Sequence, residues 1–151
     1  VSKCLLDGTQ IGIHCGGDDI VIEKNDITAG GTAGIYVEGS ASSPEGVVIT
    51  KNQVSGGSYG ILAVMGRSTI SKNYVGESVN TEIVLNGGEN LVEKNETDGG
   101  SYGIQTNGVD NVVSKNLVEG AMIGIQVSGG PGGTVEKNTI VAPSSVGIWL
   151  A

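Results

Sequence analysis

A Lys-Asn pair recurs along this chain at Lys24-Asn25, Lys51-Asn52, Lys72-Asn73, Lys94-Asn95, Lys115-Asn116 and Lys137-Asn138. The asparagines stand 27, 21, 22, 21 and 22 residues apart. Lys3-Cys4 precedes the series in phase, so Cys4 takes an asparagine slot. A second marker keeps the same period: Gly12-Ile13, Gly34-Ile35, Gly60-Ile61, Gly103-Ile104, Gly124-Ile125 and Gly147-Ile148. Glu82-Ile83 holds the register without the glycine. Two markers locked at one period of about 22 residues define a repeat architecture.

Each unit reads as short strands. Apolar residues alternate within short runs, which is strand period and not helix period. Three residues before each asparagine stand Ile22, Ile49, Ile70, Val92, Val113 and Val135. Two after it stand Ile27, Val54, Val75, Thr97, Val118 and Ile140. The 27 glycines, three prolines and absent phenylalanine suit many turns around an aliphatic core. No Asn-Gly hairpin joins the strands, so like positions stack on like positions, one solenoid turn per unit. The predicted fold is all-β: a right-handed parallel β-helix of about seven coils of ~22 residues, forming a rod roughly 30 Å long. Asn25, Asn52, Asn73, Asn95, Asn116 and Asn138 are expected at a bend, in left-handed backbone angles and bonded to one another as a ladder. Residues 1–151 read as a single domain cut from a longer protein. Neither end shows a polar cap, so flanking domains or self-association are expected to cover the strand edges.

Charge and composition exclude other classes. A formal net charge of −8 opposes a nucleic-acid partner, which needs a basic face. No apolar run reaches the ~20 residues that span a bilayer. Cys4 and Cys15 are too few for a disulfide framework; two buried thiols are expected, with a Cys4–Cys15 bridge as the alternative. Asn95-Glu96-Thr97 matches the N-glycosylation pattern, but its asparagine belongs to the ladder.

The unit GIQVSGGPGGTVEKNTI, residues 124–140, resembles the parallel β-helix repeats of the pectate-lyase-like superfamily, above all the NosD-like carbohydrate-binding and sugar-hydrolase repeat proteins. The resemblance covers residues 2–150. It implies pectin and alginate lyases, polygalacturonases, C5-epimerases and phage tailspikes as relatives, together with surface proteins that carry no chemistry. The resemblance also implies that sugar binds on the outward face of the glycine-led strand, and that hydrolases carry paired aspartates just before it.

Here the slots before that strand read Ile11, Ala33, Tyr59, Glu82, Tyr102, Ile123 and Val146, with one acid among them. Asp18 and Asp19 instead fall in a turn after the strand; solvated turn residues are expected there, with a weak calcium site as the alternative and no other cofactor. The outward column reads His14, Tyr36, Leu62, Val84, Gln105, Gln126 and Trp149. His14 beside Tyr36 is a candidate acid–base pair, with no carboxylate or arginine expected nearby. Leu62 and Val84 form an apolar patch that an insertion at residues 38–46 could cover. Tyr59 and Tyr102, in the twice-used string GGSYGI, are expected ~10 Å apart and suited to sugar stacking. Thus His14, Tyr36, Tyr59, Tyr102 and Trp149 form the candidate glycan face. The lysines stack in a column, read as a solubilising stripe or a rail for an anionic polysaccharide. The favoured function is a noncatalytic structural or glycan-binding β-helix of a secreted, cell-surface or virion fibre protein. The alternative is a fragment of a polysaccharide lyase, glycoside hydrolase or C5-epimerase.

Overall fold

The computed structural model describes residues 1–39 and 46–151 and is a parallel β-solenoid. Each coil carries three strand positions. First strands, Val21–Glu23, Val48–Thr50, Thr69–Ser71, Leu91–Glu93, Val112–Ser114 and Thr134–Glu136, stack in a six-stranded sheet. Second strands, such as Gln53–Gly56, Tyr74–Gly76 and Glu96–Asp98, follow the Lys-Asn bend. Third strands, Tyr59–Val64, Thr81–Asn86, Tyr102–Asn107, Ile123–Ser128 and Val146–Leu150, begin near the Gly-Ile marker. Leu5–Gly16 and Asp26–Glu38 run through both later positions without a break, which merges them into one 12-stranded sheet. Six turns are complete, against the seven expected: the opening coil has no first strand, only a bridge from Ser2 to Glu23.

Like positions do stack on like. Ile22 pairs with Ile49, Ile49 with Ile70, and Val92 with Ile70 and Val113. These columns, with Ile27, Val54, Val75, Val118, Ile35, Ile61, Ile104 and Ile125, make one continuous buried aliphatic core. Each such side chain contributes roughly 1.5–3 kcal/mol, so aromatic residues are not needed inside. At the last coil Ile148 and Leu150 are exposed.

The asparagines form the expected ladder, and its connectivity is complete. The Asn73 Nδ2 donates one proton to Asn95 Oδ1 at 3.0 Å and the other to the Ile49 carbonyl at 3.0 Å. The Asn73 backbone N–H also donates to Asn95 Oδ1, at 3.0 Å. Asn25, Asn52, Asn95 and Asn116 repeat this pattern with their successors at 2.9–3.1 Å. The Cys4 N–H opens the ladder by donating to Asn25 Oδ1. The buried Asn95 amide has both protons engaged, which removes it from use as a glycan acceptor.

One expectation about this bend is corrected. The left-handed residue is the lysine, not the asparagine: Lys3, Lys24, Lys51, Lys72, Lys94, Lys115 and Lys137 have φ of 56–58°. The lysine reverses the chain so that the asparagine side chain can turn inward. A shorter second ladder, not foreseen, supports another bend. There the Ser68 N–H donates to Asn90 Oδ1, and the Asn90 N–H and Nδ2 donate to Asn111 Oδ1, at 3.0–3.1 Å.

Cys4 and Cys15 are free and half-buried, where burial and a bridge were the two expectations. Burial pushes the Cys15 thiol above its ordinary value.

Removing the Asn95 rung leaves two buried donors, the Asn73 N–H and one Asn73 Nδ2 proton, without partners. Asn95→Ala should therefore cost about 3 kcal/mol in chemical denaturation. Asn138→Ala at the end of the ladder should cost well under half of that. An Asn95→Ala loss below about 1 kcal/mol would show that the ladder does not hold the bend.

Candidate functional site

The outward side of the third strands is a flat face two residues wide per coil. The predicted column is in register throughout: His14 pairs with Tyr36, Tyr36 with Leu62, Leu62 with Val84, Val84 with Gln105, Gln105 with Gln126 and Gln126 with Trp149. Those steps span about 29 Å at the strand spacing. Beside it, Val64, Asn86, Asn107 and Ser128 pair in sequence as a second outward column.

The face changes character along its length. At one end the His14 and Tyr36 rings stack at 4.9 Å with an interplanar angle of 11°. The Glu38 carboxylate lies 3.5 Å from His14 Nε2. The expectation of no nearby carboxylate is therefore corrected. Glu38 is two residues beyond Tyr36 on one strand, and alternation puts both side chains on one face. The neighbouring Glu38 carboxylate, as acceptor and as charge, and burial hold the Tyr36 phenol above its ordinary pKa.

The middle is aliphatic: Leu62 is half-buried, Val64 is exposed and Val84 is 5% exposed. Residues 40–45, the bulk of the insertion expected to border this patch, lie outside the described residues. The far half is an amide ladder. Gln105 Nε2 donates to Gln126 Oε1 at 2.9 Å, Asn107 Nδ2 to Asn86 Oδ1 at 2.8 Å, and Ser128 Oγ to Asn107 Oδ1 at 2.6 Å. Trp149 closes the face, 44% exposed. Gln105 and Gln126 were in the expected outward column; Asn86, Asn107 and Ser128 were not, and their shared parity with Tyr36 and Glu38 was the usable signal.

Tyr59 and Tyr102 lie apart from this cluster. They flank Thr81, Tyr59 pairing with Thr81 and Thr81 with Tyr102. They are half-buried at the start of the third strands, three residues before Leu62 and Gln105. Asp18 and Asp19 are exposed turn residues, Asp19 with a φ of 54°. Among the described residues no three His, Cys, Asp or Glu side chains converge to hold a metal ion. Among the described residues no helix is long and apolar enough to cross a membrane.

Glu82 takes the glycine's own slot, as the Glu82-Ile83 member of the Gly-Ile series implied, and points into the rod at 0% exposure; the slot before it belongs to Thr81, which corrects the placing of Glu82 there. At Gly60, one coil earlier, an added Cβ would run into Val75 and come within 2.7 Å of the Glu82 carbonyl oxygen. The Ser78 N–H donates to Glu82 Oε1 at 3.1 Å. Gly99 and Gly100 in the next coil leave room for the carboxyl: a Cβ there would stand 3.6 and 3.3 Å from Oε1. Glu82 Oε2 and the hydroxyl of Thr97 are buried without a partner among the described residues. Burial, opposed in part by the Ser78 bonds and reinforced by Asp98 and Glu77, raises the Glu82 pKa from 4.5 to about 7. A fully buried acid of this kind cannot touch a polymer.

Its consequence is for stability. The folded chain holds the Glu82 proton that the unfolded chain has released, so stability is full below pH ~4.5 and declines as pH rises through 7. The loss should be on the order of 3 kcal/mol and level off above that pH. The difference in unfolding free energy between wild type and Glu82→Gln, followed from pH 4 to 9, should carry this slope. A constant difference would contradict it.

A family model described as the right-handed β-helix region matches residues 2–151. Searches of curated proteins and of solved structures found no match.

Proposed function

We propose that this chain, which belongs to the right-handed β-helix family, binds a neutral glycan strand along the outward face of its third strands and does not cleave it. The observation that carries this reading is the face itself. A stacked aromatic pair stands at one end, Trp149 at the other, and an aligned row of amides and a hydroxyl between. Aromatic rings supply flat apolar surface for sugar rings, and side-chain amides both donate and accept toward hydroxyls. The face carries little charge, His14 and Glu38 being its ionisable groups apart from the phenol. The rigidity of the stacked coils means that little order is lost on binding. This reading sets the protein outside the cell, on a cell surface or in a virion fibre, where glycan polymers are met.

The second reading, a lyase, hydrolase or epimerase fragment, draws on the contact among His14, Tyr36 and Glu38. Its weakness is chemical. A base must be deprotonated at the working pH, whereas Glu38 keeps the Tyr36 proton in place. Arg67, the sole arginine, is in a turn and paired with Glu89 at 3.3 Å.

The test uses a panel of neutral β-linked and α-linked oligosaccharides with calorimetry and Trp149 fluorescence. Binding should shift the emission of the single tryptophan. Trp149→Ala and Tyr36→Ala should each weaken affinity about tenfold, and the sugar should be recovered intact. New reducing ends or unsaturated products, lost in His14→Ala, would establish the second reading instead. Retained affinity in both aromatic variants would refute the face as the site.

A further inference from the structure

Every coil bends three times, and almost every bend uses a left-handed residue; the exception is the last bend of the Asp26–Glu38 coil, where no residue has positive φ. At the bend before the first strands the residue varies: Asp19, Gly46, Arg67, Glu89, Asp110 and Gly132 all have positive φ. At the bend after the second strands it varies again: Gly8, Gly56, Glu77, Gly99, Gly120 and Ala142. Only the Lys-Asn bend uses one residue type every time. A left-handed L-residue costs roughly 1–2 kcal/mol, which glycine avoids. Backbone geometry therefore explains the left-handed turn and leaves the repeated ammonium unexplained.

The lysines make up seven of the eight Lys and Arg residues in a chain of net charge −8. They stand in one file, about 4.8 Å apart. Much of that file is neutralised by first-strand carboxylates, on the same coil or the one before. Lys24 meets Glu23 at 3.5 Å, Lys94 and Lys115 meet Glu93 at 3.4 and 3.9 Å, and Lys137 meets Glu136 at 3.4 Å. Lys3, after Ser2, has no such pair among the described residues, and Lys51 and Lys72 lack one together as neighbours in the file. The upstream residues are Thr50 and Ser71, whose hydroxyls lie 3.2 Å apart. On the other flank the outward residues are Gln53 and Tyr74, in register with each other. Both lysines are exposed, and neither has an ion-pair partner among the described residues.

We propose that Lys51 and Lys72, flanked by Thr50, Ser71, Gln53 and Tyr74, form a binding site for neighbouring anionic groups of a linear acidic polysaccharide. Two adjacent ammonium groups on a straight rod fit a single unbranched chain with charge on successive sugars. The flanking hydroxyls and amide offer hydrogen bonds to sugar hydroxyls. A nucleic-acid strand fits less well: it is bound by several aromatic platforms beside the cations, and Tyr74 is the one aromatic residue on the flanks. The site is separate from the neutral-glycan face, since the second strands lie between the two.

The bend geometry supplies an unusually clean test. Glycine is at home at a φ of 57–58°, so Lys51→Gly/Lys72→Gly should keep or raise the melting temperature. The same variant should lose about tenfold in affinity for alginate oligosaccharides or for heparin at low salt. Lys51→Arg/Lys72→Arg should retain binding, and Lys94→Gly/Lys115→Gly should lose less. Alginate carries carboxylates and heparin mainly sulfates, so the stronger of the two identifies the anion. Equal binding by wild type and the Lys51→Gly/Lys72→Gly variant would overturn the proposal. So would the absence of binding to both polymers, or tighter binding of oligothymidylate. Trp149→Ala should leave this affinity unchanged, whatever becomes of the neutral-glycan reading.

Discussion

The rod depends on a buried carboxamide that has no water to turn to. Each internal ladder asparagine lies at the inner side of a bend, 2% exposed, and an unpaired amide there would be expensive. Its acceptor serves the preceding coil, while its donors reach the preceding first strand and the following asparagine. The network therefore has a direction and a fixed step. It can be satisfied only when neighbouring coils keep the same register at the same bend.

Register then dictates the rest. Once the asparagines align, Ile22 must meet Ile49 and His14 must meet Tyr36. Apolar columns fuse into a core, and outward columns become continuous faces. Chemistry emerges where a column departs from its own habit. Glu38 brings a carboxylate to a stacked aromatic pair, and Thr50 and Ser71 stand where a glutamate would pair two adjacent lysines, which have no ion-pair partner among the described residues. Glu82 replaces a glycine and buries an ionisable group. Function on a solenoid of this kind is written in the exceptions, on a surface whose geometry the repeats guarantee.

Period, strand alternation and the buried columns were legible in the amino-acid order, because identical spacing leaves few ways to pack Val and Ile. The His14–Trp149 column followed from the same alternation. Glu38 was legible too, two residues beyond Tyr36, but only to a reading that carried the parity past the hydrophobic part of the strand. The left-handed angle was assigned to asparagine because propensity favours it there; tertiary demand for an inward amide moved the angle to lysine. Ile83 already set Glu82 in the glycine's slot; naming Glu82 again in the slot before it, where Thr81 stands, was a slip of one residue against that register. The outer Gln105–Gln126 and Asn86–Asn107 rungs came from side-chain contacts between coils, which no single unit displays.

Amide hydrogen exchange tests the ladder most directly. The account predicts that the backbone N–H of Asn52, Asn73 and Asn95, and their Nδ2 protons, exchange among the slowest in the protein and open together with the aliphatic core. Exchange of those side-chain protons as fast as in exposed amides, within a rod whose core amides stay protected, would contradict it.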